Sequence, residues 1–296
     1  MLSGMRNRFV VVLAWALLHL VPTGCSRADA PPAAEHPYPG ITFRKEVRAD
    51  PAQRLYWATI DLTDPRVTLH VARGGDDPDG DGKWQTTLMP PTQVAAREGF
   101  ELTINGDFFE ILKATDEPPT PAGQQPHYHD QQWASVLGPA ASDGKAWAAT
   151  TSRKPRPCLV VGKSGKVTIE PLAAARANDA EVIAGNVMLV HDGKPVPLAN
   201  AARHPRTVVG LDAKGATLTI LVVDGRRTGV AEGMSYAELS KEMIAAGCDR
   251  AINLDGGGSS EMVIREGERQ VAKNEPSNEK ERPVANVLGV DVRDAK

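Results

Sequence analysis

Apolar and polar positions along the chain follow a strand period over most of its length. From Arg54 to Gly74 the text RLYWATIDLTDPRVTLHVARG alternates β-branched or aromatic residues with polar ones on both sides of Thr63-Asp64-Pro65. This predicts two strands around a turn. CLVVGKSGKVTIEPL, Cys158–Leu172, reads as a second hairpin with its turn at Lys163-Ser164-Gly165. Ala216–Val223 is largely apolar, as expected of a strand buried on both faces, and it ends in Asp224, Gly225 and Arg226.

Helical signals are few. Ser235 and Glu238 form a capping box, Leu239, Met243 and Ala246 recur on one face, and Gly247 stops the run. A shorter helix is expected from about Pro91 to Glu98, with proline in its first turn and Gly99 at its end. Both helices lead into the same pattern, G-x-x-x-x-I-N-x-D, at Gly99–Asp107 and Gly247–Asp255. Residues two apart on a strand face the same side. Asn105 with Asp107, and Asn253 with Asp255, are therefore expected to present polar pairs at strand ends, meeting in one cleft if the strands are neighbours. The fold class expected is a single mixed α/β (α+β) domain, with a mixed β-sheet and a few helices.

After the second copy come Gly256, Gly257, Gly258, Ser259 and Ser260. Consecutive glycines cost chain entropy and pack nothing, so they imply positive φ or close approach to a bulky group. A ligand-facing turn and an ordinary hairpin turn both meet that need.

The N-terminal segment changes the picture of location. Arg6 and Arg8 precede the apolar run Phe9–Val21, which meets small residues and then Cys25. The run is shorter than the roughly 20 residues a membrane-spanning helix needs, and it reads as an export signal over residues 1–25. VPTGC resembles a lipoprotein cleavage site, although Pro22 stands where an aliphatic residue is usual. A periplasmic, envelope-anchored or secreted protein is expected, with a lipid anchor at Cys25 as one alternative. A Pro/Ala-rich tether is expected over 26–45 and the folded domain over 46–296. Cys158 and Cys248 remain, either paired or as two core thiols.

The chain has 296 residues, 41% hydrophobic and 24% charged, with a net charge of −3. That is ample for a full core. No basic stripe with interleaved aromatics appears, which argues against a nucleic-acid partner. Asp77, Asp79 and Asp81 alternate before Gly82 like the first half of a calcium loop, but Leu88 stands where the closing Glu belongs. Calcium binding and a solvated acidic turn are the two readings. His127 and His129 suggest a polar loop bordering a site rather than a metal centre.

Arginines cluster in RHPRTVVGLD, Arg203–Asp212, and in VVDGRR, Val222–Arg227, where planar cationic forks suit phosphate or carboxylate. Taken in order, NGDFF, RHPRTVVG, VVDGR, AINLDGGGSSEMV and ERPVANVLGV resemble the phosphodiester glycosidase family over about Asp50–Val290. The resemblance implies hydrolysis between a sugar's anomeric carbon and a phosphodiester oxygen, releasing sugar and leaving a phosphomonoester. Bacterial relatives are often labelled exopolysaccharide-related. The motif positions are occupied by Asn105, Phe109, Arg206, Thr207, Gly210, Asp224, Gly225, Asn253, Asp255, Gly256, Gly257, Gly258 and Ser259. Asp107 departs from the pattern, which commonly has a small residue there, so no family role carries over to it.

The residue types fit that chemistry. Glycosidases stabilise an oxocarbenium-like transition state, usually with two carboxylates. A phosphomonoester leaving group has a second pKa of about 6 and departs with little protonation, so arginines can replace the general acid. On this reading Arg206 clamps phosphate and Asp255 is nucleophile or base. Arg226 and the glycine turn contact substrate, while Asp224, Asn105 and Asn253 orient sugar hydroxyls or the carboxylate; no cofactor is required. Two alternatives remain: an exported glycan-binding protein without turnover, and a phosphodiesterase cutting P–O.

Overall fold

The computed structural model describes residue 1 and residues 33–113, 128–278 and 280–293. The apolar run Phe9–Val21, Cys25 and His127 lie outside the described residues. Among the described residues no helix is long and apolar enough to cross a membrane.

An eight-stranded sheet forms the centre. Its strands run in the order Glu35–Tyr38, Ile41–Ala49, Ala52–Asp61, Thr217–Val223, Arg206–Leu211, Arg250–Asn253, Val187–His191, Lys194–Pro195. One five-stranded sheet runs Arg269–Ala272, Met262–Glu266, Leu102–Asn105, Asn286–Val292, Val67–Arg73, and a second runs Lys145–Ala148, Ala140–Ser142, Asp179–Ala184, Arg156–Gly162, Val167–Leu172. A small three-stranded sheet joins Thr86–Thr87, Trp133–Val136 and Phe109–Ile111.

Every described strand pairing is antiparallel. Over the described residues the protein is thus predominantly β, and the expected mixed sheet is corrected to antiparallel sheets with two α-helices. Parallel neighbours need long, usually helical crossovers, which this chain scarcely supplies. The helix Tyr236–Ala245 links the strands Thr217–Val223 and Arg250–Asn253, but the strand Arg206–Leu211 lies between them and pairs antiparallel with both.

Both helices follow their sequence signals. Pro91–Glu98 has proline at its start and ends on Gly99 at φ +76°, where the left-handed conformation suits glycine. Tyr236–Ala245 carries the complete Ser235/Glu238 capping box. Its buried Leu239 and Met243 cover one face of the central sheet against Leu55, Trp57, Val208 and Leu221. The neighbouring positions Val209, Ile220 and Val222 face the opposite way, into a core shared with Leu102, Ile104, Leu288 and Leu159 from the two five-stranded sheets. A strand buried on both faces must be apolar throughout, which explains the run Leu218–Val223. Each such side chain contributes about 1.5–3 kcal/mol of burial free energy.

One expectation changes and the others are resolved. The strands Ala52–Asp61 and Val67–Arg73 flank their turn as expected but join different sheets, so the turn carries the chain between layers. Cys158–Leu172, by contrast, does form a hairpin. Residues 35–45, placed in the tether by composition, lie in the first two strands, where Ile41 and Phe43 alternate into the core. Cys158 and Cys248 are free, buried thiols in different apolar clusters.

Candidate active site

Three strand termini converge. Leu254 N–H donates to Thr207 O (2.9 Å), Asp255 N–H to Gly106 O (2.9 Å), and Gly257 N–H to Pro205 O (3.0 Å). The two I-N-x-D segments occupy different sheets, yet their ends touch: Asn105 Nδ2 donates to Asp255 O (2.8 Å). The buried Asn105 Oδ1 accepts the Thr207 hydroxyl (2.6 Å) and Glu261 N–H (3.1 Å). Asn105 and Thr207 therefore position Asp255 instead of lining the cleft.

The glycine run forms a 3-10 turn, Gly257–Ser259, between strands of two sheets, so the hairpin reading is excluded. A Cβ on Gly256 would lie 2.8 Å from Pro205 O. One on Gly257, already at φ +64°, would lie 2.8 Å from Arg226 Nη2, and one on Gly258 would lie 2.7 Å from Arg282 Cζ. Each glycine admits a different neighbour, and two of the three neighbours are guanidinium groups.

A cleft of about 380 Å³ opens here, lined by Phe108, Phe109, Tyr128, His204, Arg206, Arg226, Tyr236, Asp255, Gly256, Gly257 and Arg282. Larger concavities of about 760 and 590 Å³ lie elsewhere, where Arg176 pairs with Glu170 and Asp179 and Arg73 with Asp77. Convergent chemistry, not volume, singles out the smaller cleft.

Asp255 is its one carboxylate among these lining residues. Gly256 N–H donates to Asp255 Oδ1 (2.8 Å). Burial raises the Asp255 pKa above its ordinary value, opposed by the Ser259 hydroxyl, Arg282, Gly256 N–H and Arg226. Arg206, only 5% exposed, is anchored. Its Nε donates to Met234 O (3.1 Å), its Nη2 to Ala202 O (3.2 Å), and its guanidinium lies 4.3 Å from the Tyr236 ring centroid. Arg282 lies 4.4 Å from the Tyr128 ring centroid and donates to Ser259 Oγ (3.4 Å).

Arg226 differs from both. It makes no side-chain hydrogen bond or ion pair with any described residue, and its backbone sits at φ +63°. A non-glycine residue held there is a strained position of the kind found at ligand contacts. Burial lowers the Arg226 pKa from its ordinary value, with Arg282 adding to the shift and Asp255 opposing it. His204 is likewise held below its usual value, first by burial and then by Arg206 and Arg226.

Other expected residues stand behind the cleft. Asp224 is buried and accepts from Tyr56 (3.3 Å), Asn274 (3.1 Å), Glu275 N–H (3.2 Å) and Arg227 (2.9 Å). It anchors the turn that presents Arg226 and is not a cleft carboxylate. Asn253 is buried, donating to Asn186 Oδ1 (3.0 Å) and Leu254 O (2.7 Å). Asn186 in turn donates to the Tyr236 hydroxyl (3.0 Å), so Asn253 supports the wall from behind.

Asp107 is 2% exposed and does not line the cleft, which corrects the expectation of two carboxylates opening together. Its Oδ1 accepts Ala184 N–H (3.1 Å) and its Oδ2 the Asn286 amide (2.7 Å). Burial pushes its pKa up to about 8, with Asp255 adding to the shift.

The acidic loop uses its carboxylates in its own turn. Asp77 Oδ1 accepts Asp79 N–H (3.2 Å) and Gly80 N–H (2.8 Å), and Asp79 accepts Trp84 N–H (3.2 Å). Asp77, Asp79 and Asp81 do not form a converging donor set, a departure from the calcium-loop reading that fits the missing closing Glu. The group that does converge among the described residues is His70, Asp143 and Glu181, within 4.8 Å of one another, although both Glu181 oxygens already accept backbone N–H groups. His129 is not among the residues that line the cleft.

Tyr128, His204, Tyr236 and Arg282 were not singled out from sequence. Arg282 had a signal, since it sits in the quoted text ERPVANVLGV, and His204 lies two residues before Arg206.

The chain is similar in fold to the zebrafish N-acetylglucosamine-1-phosphodiester alpha-N-acetylglucosaminidase catalytic domain, a structure auto-inhibited by its pro-peptide. That match has 19% identity, 90% of this chain and 86% of that one covered, and a TM-score of 0.59. A hypothetical protein from Synechocystis matches at 17% identity, 90% and 65% coverage, TM-score 0.56. A putative exported protein from Burkholderia pseudomallei matches at 16% identity, 81% and 74% coverage, TM-score 0.55. No curated protein sequence matches this chain. The phosphodiester glycosidase family model matches residues 98–291, a span that holds Asn105, Arg206, Arg226, Asp255 and Arg282, and the chain belongs to that family.

Proposed function

We propose that this protein is an exported hydrolase that cleaves the glycosidic C–O bond of a sugar-1-phosphodiester in a cell-envelope or extracellular glycan, giving free sugar and a phosphomonoester. One observation carries the reading: among the described residues the cleft is lined by a single carboxylate, Asp255, together with three guanidinium groups, Arg206, Arg226 and Arg282. Ordinary glycosidases need a second carboxylate to protonate a poor leaving group. A phosphate leaving group needs cations instead.

In this mechanism the anomeric carbon faces Asp255, and the bond from that carbon to the phosphate oxygen breaks with its electron pair leaving on phosphate. The hydroxyl of water ends on the anomeric carbon. The ionised Asp255 carboxylate either attacks this carbon or takes the proton from the attacking water, and both roles require the acid form to be lost. The arginines balance the growing second charge on phosphate. Phe109 and Tyr128, edge to face with centroids 5.5 Å apart, offer apolar surface to the sugar ring. Export rests on the segment Arg6–Cys25.

The test is hydrolysis of a panel of sugar-1-phosphodiesters in ¹⁸O-labelled water. Label in the released sugar supports the glycosidase. Label in the phosphate marks a phosphodiesterase, and binding without turnover marks a glycan-binding protein. Asp255→Asn is expected to abolish turnover with the fold retained, because an amide has similar size but is neither nucleophile nor base.

A further inference from the structure

We infer that Tyr236 contacts the substrate, its hydroxyl held as a hydrogen-bond donor toward the cleft and bound to a non-bridging oxygen of the substrate's phosphate. That the acceptor belongs to a phosphodiester rests on the glycosidase reading. The direction of the hydroxyl rests on the hydrogen bonds behind it.

That direction starts at a backbone carbonyl. Leu254 O can only accept, and the Asn253 side chain meets it at 2.7 Å, which fixes the nitrogen end of that amide. The same Nδ2 lies 3.0 Å from the side chain of Asn186, so the Asn186 atom facing it is the oxygen. Asn186 Nδ2 is thereby turned to the Tyr236 hydroxyl, 3.0 Å away, and donates to it. A hydroxyl has one hydrogen and two lone pairs, and here a lone pair is engaged from behind. The Arg206 guanidinium, 4.3 Å from the ring centroid, has no lone pair to offer the hydrogen. Among the described residues none accepts it.

The chain of bonds runs outward from the core. Asn253 is fully buried, whereas Tyr236 is 7% exposed and lines the cleft beside Arg206 and Asp255. Each amide can donate in one direction only, so the last hydrogen of the chain is left for whatever enters the cleft. Accepting from Asn186 also polarises the hydroxyl and strengthens it as a donor.

The neighbours decide the kind of oxygen it meets. A sugar hydroxyl placed between Tyr236 and Arg206 would need an acceptor for its own hydrogen, and neither side chain supplies one. An anionic phosphate oxygen carries no hydrogen, accepts from both, and makes each bond charge-assisted. Tyr236 is thus a neutral donor working beside the cation that is anchored on Met234 O and Ala202 O.

The probe is dimethyl phosphate, an anionic diester without a sugar, titrated calorimetrically into the full chain at pH 6, below the range in which phenols ionise. Tyr236→Phe should weaken its binding by about tenfold or more, the size of a hydrogen bond to a charged group. This variant also leaves the Asn186 amide without its acceptor, so it is paired with Tyr236→3-fluorotyrosine. Fluorine withdraws electrons and makes the hydroxyl a better donor and a poorer acceptor. A hydroxyl that donates to phosphate should then bind the probe more tightly than the parent does; one that only accepts from Asn186 should not.

Binding within about twofold of the parent in Tyr236→Phe overturns the inference. So does weaker or unchanged binding in the fluorinated protein, or no binding of the probe by the parent. The same proteins are then assayed on sugar-1-phosphodiesters. Hydrolysis with kcat/KM unchanged in Tyr236→Phe removes the phosphate contact and leaves the glycosidase reading intact. If the probe follows the expected pattern but no sugar phosphodiester is hydrolysed, the glycosidase reading fails and the donor stands.

Discussion

The Asn105 side-chain amide donates to the backbone carbonyl of Asp255 over 2.8 Å, joining a strand end of one sheet to the glycine turn of another. Its other side-chain atom accepts from Thr207 and from Glu261 N–H. Asn105→Ala therefore strands three buried polar groups at once. At about 1–3 kcal/mol for each unsatisfied group, the expected loss of unfolding free energy is about 3 kcal/mol or more. Turnover should fall with it, because the Asp255 backbone loses its tie. Denaturant unfolding and steady-state kinetics check both, and a variant as stable as the parent would remove Asn105 from its bridging role.

Asp107→Gly should destabilise the fold. Without the carboxylate, Ala184 N–H and the Asn286 amide lose their acceptor inside the core, at a cost of about 1–3 kcal/mol each. The pH dependence has a definite sign. The folded pKa of about 8 exceeds the ordinary 3.8, so between these values the unfolded chain has released a proton that the folded chain still holds. Stability from this group falls as pH rises from about 4 to about 8. The glycine variant should be less stable at pH 5, and its melting temperature should decline less steeply across that window.

Local chemistry was legible in the sequence and partnership was not. Pro91 and Gly99 fixed one helix, and Ser235 with Glu238 began the other, because caps act within a few residues. The continuous apolar run at Leu218–Val223 identified a doubly buried strand, yet nothing in such a run says which strand will pair with it. The repeated I-N-x-D pattern located two strand ends that do meet, but through Asn105 instead of within one sheet. Asp224 and Asn253 looked available at strand ends because their partners, Asn274 and Asn186, lie about 50 and 67 residues away in sequence. The three glycines were the most informative local feature. What they approach, Pro205, Arg226 and Arg282, became visible only in three dimensions.

The acid side of the activity profile should report Asp255. Burial raises its pKa above 3.8, so kcat/KM should begin to fall at a pH above the ordinary aspartate range. Arg226 is one of the cations that oppose this shift. Arg226→Gln should therefore move the acid limb to still higher pH, as the carboxylate loses a stabilising charge. A limb that moved to lower pH, or did not move, would show that Arg226 does not act on Asp255.

Arg206→Lys and Arg226→Lys separate an anchoring arginine from a substrate-facing one. Both substitutions keep the charge and lose the planar fork. At position 206 the fork is already engaged: lysine cannot reach Met234 O and Ala202 O together, and it loses the stacking on Tyr236. Met234 O then keeps only His204 N–H and Ala202 O turns to solvent, so stability should fall by about 1 kcal/mol alongside turnover. At position 226 no described hydrogen bond is lost, so stability should stay within about 0.5 kcal/mol of the parent. Turnover should still drop by about tenfold or more, since an ammonium presents one point charge where two guanidinium hydrogens would meet phosphate oxygens. Thermal unfolding beside kcat for the two variants decides the matter. Wild-type turnover in Arg226→Lys would remove it from the phosphate contact, and unchanged stability in Arg206→Lys would show that the carbonyl anchors carry no weight.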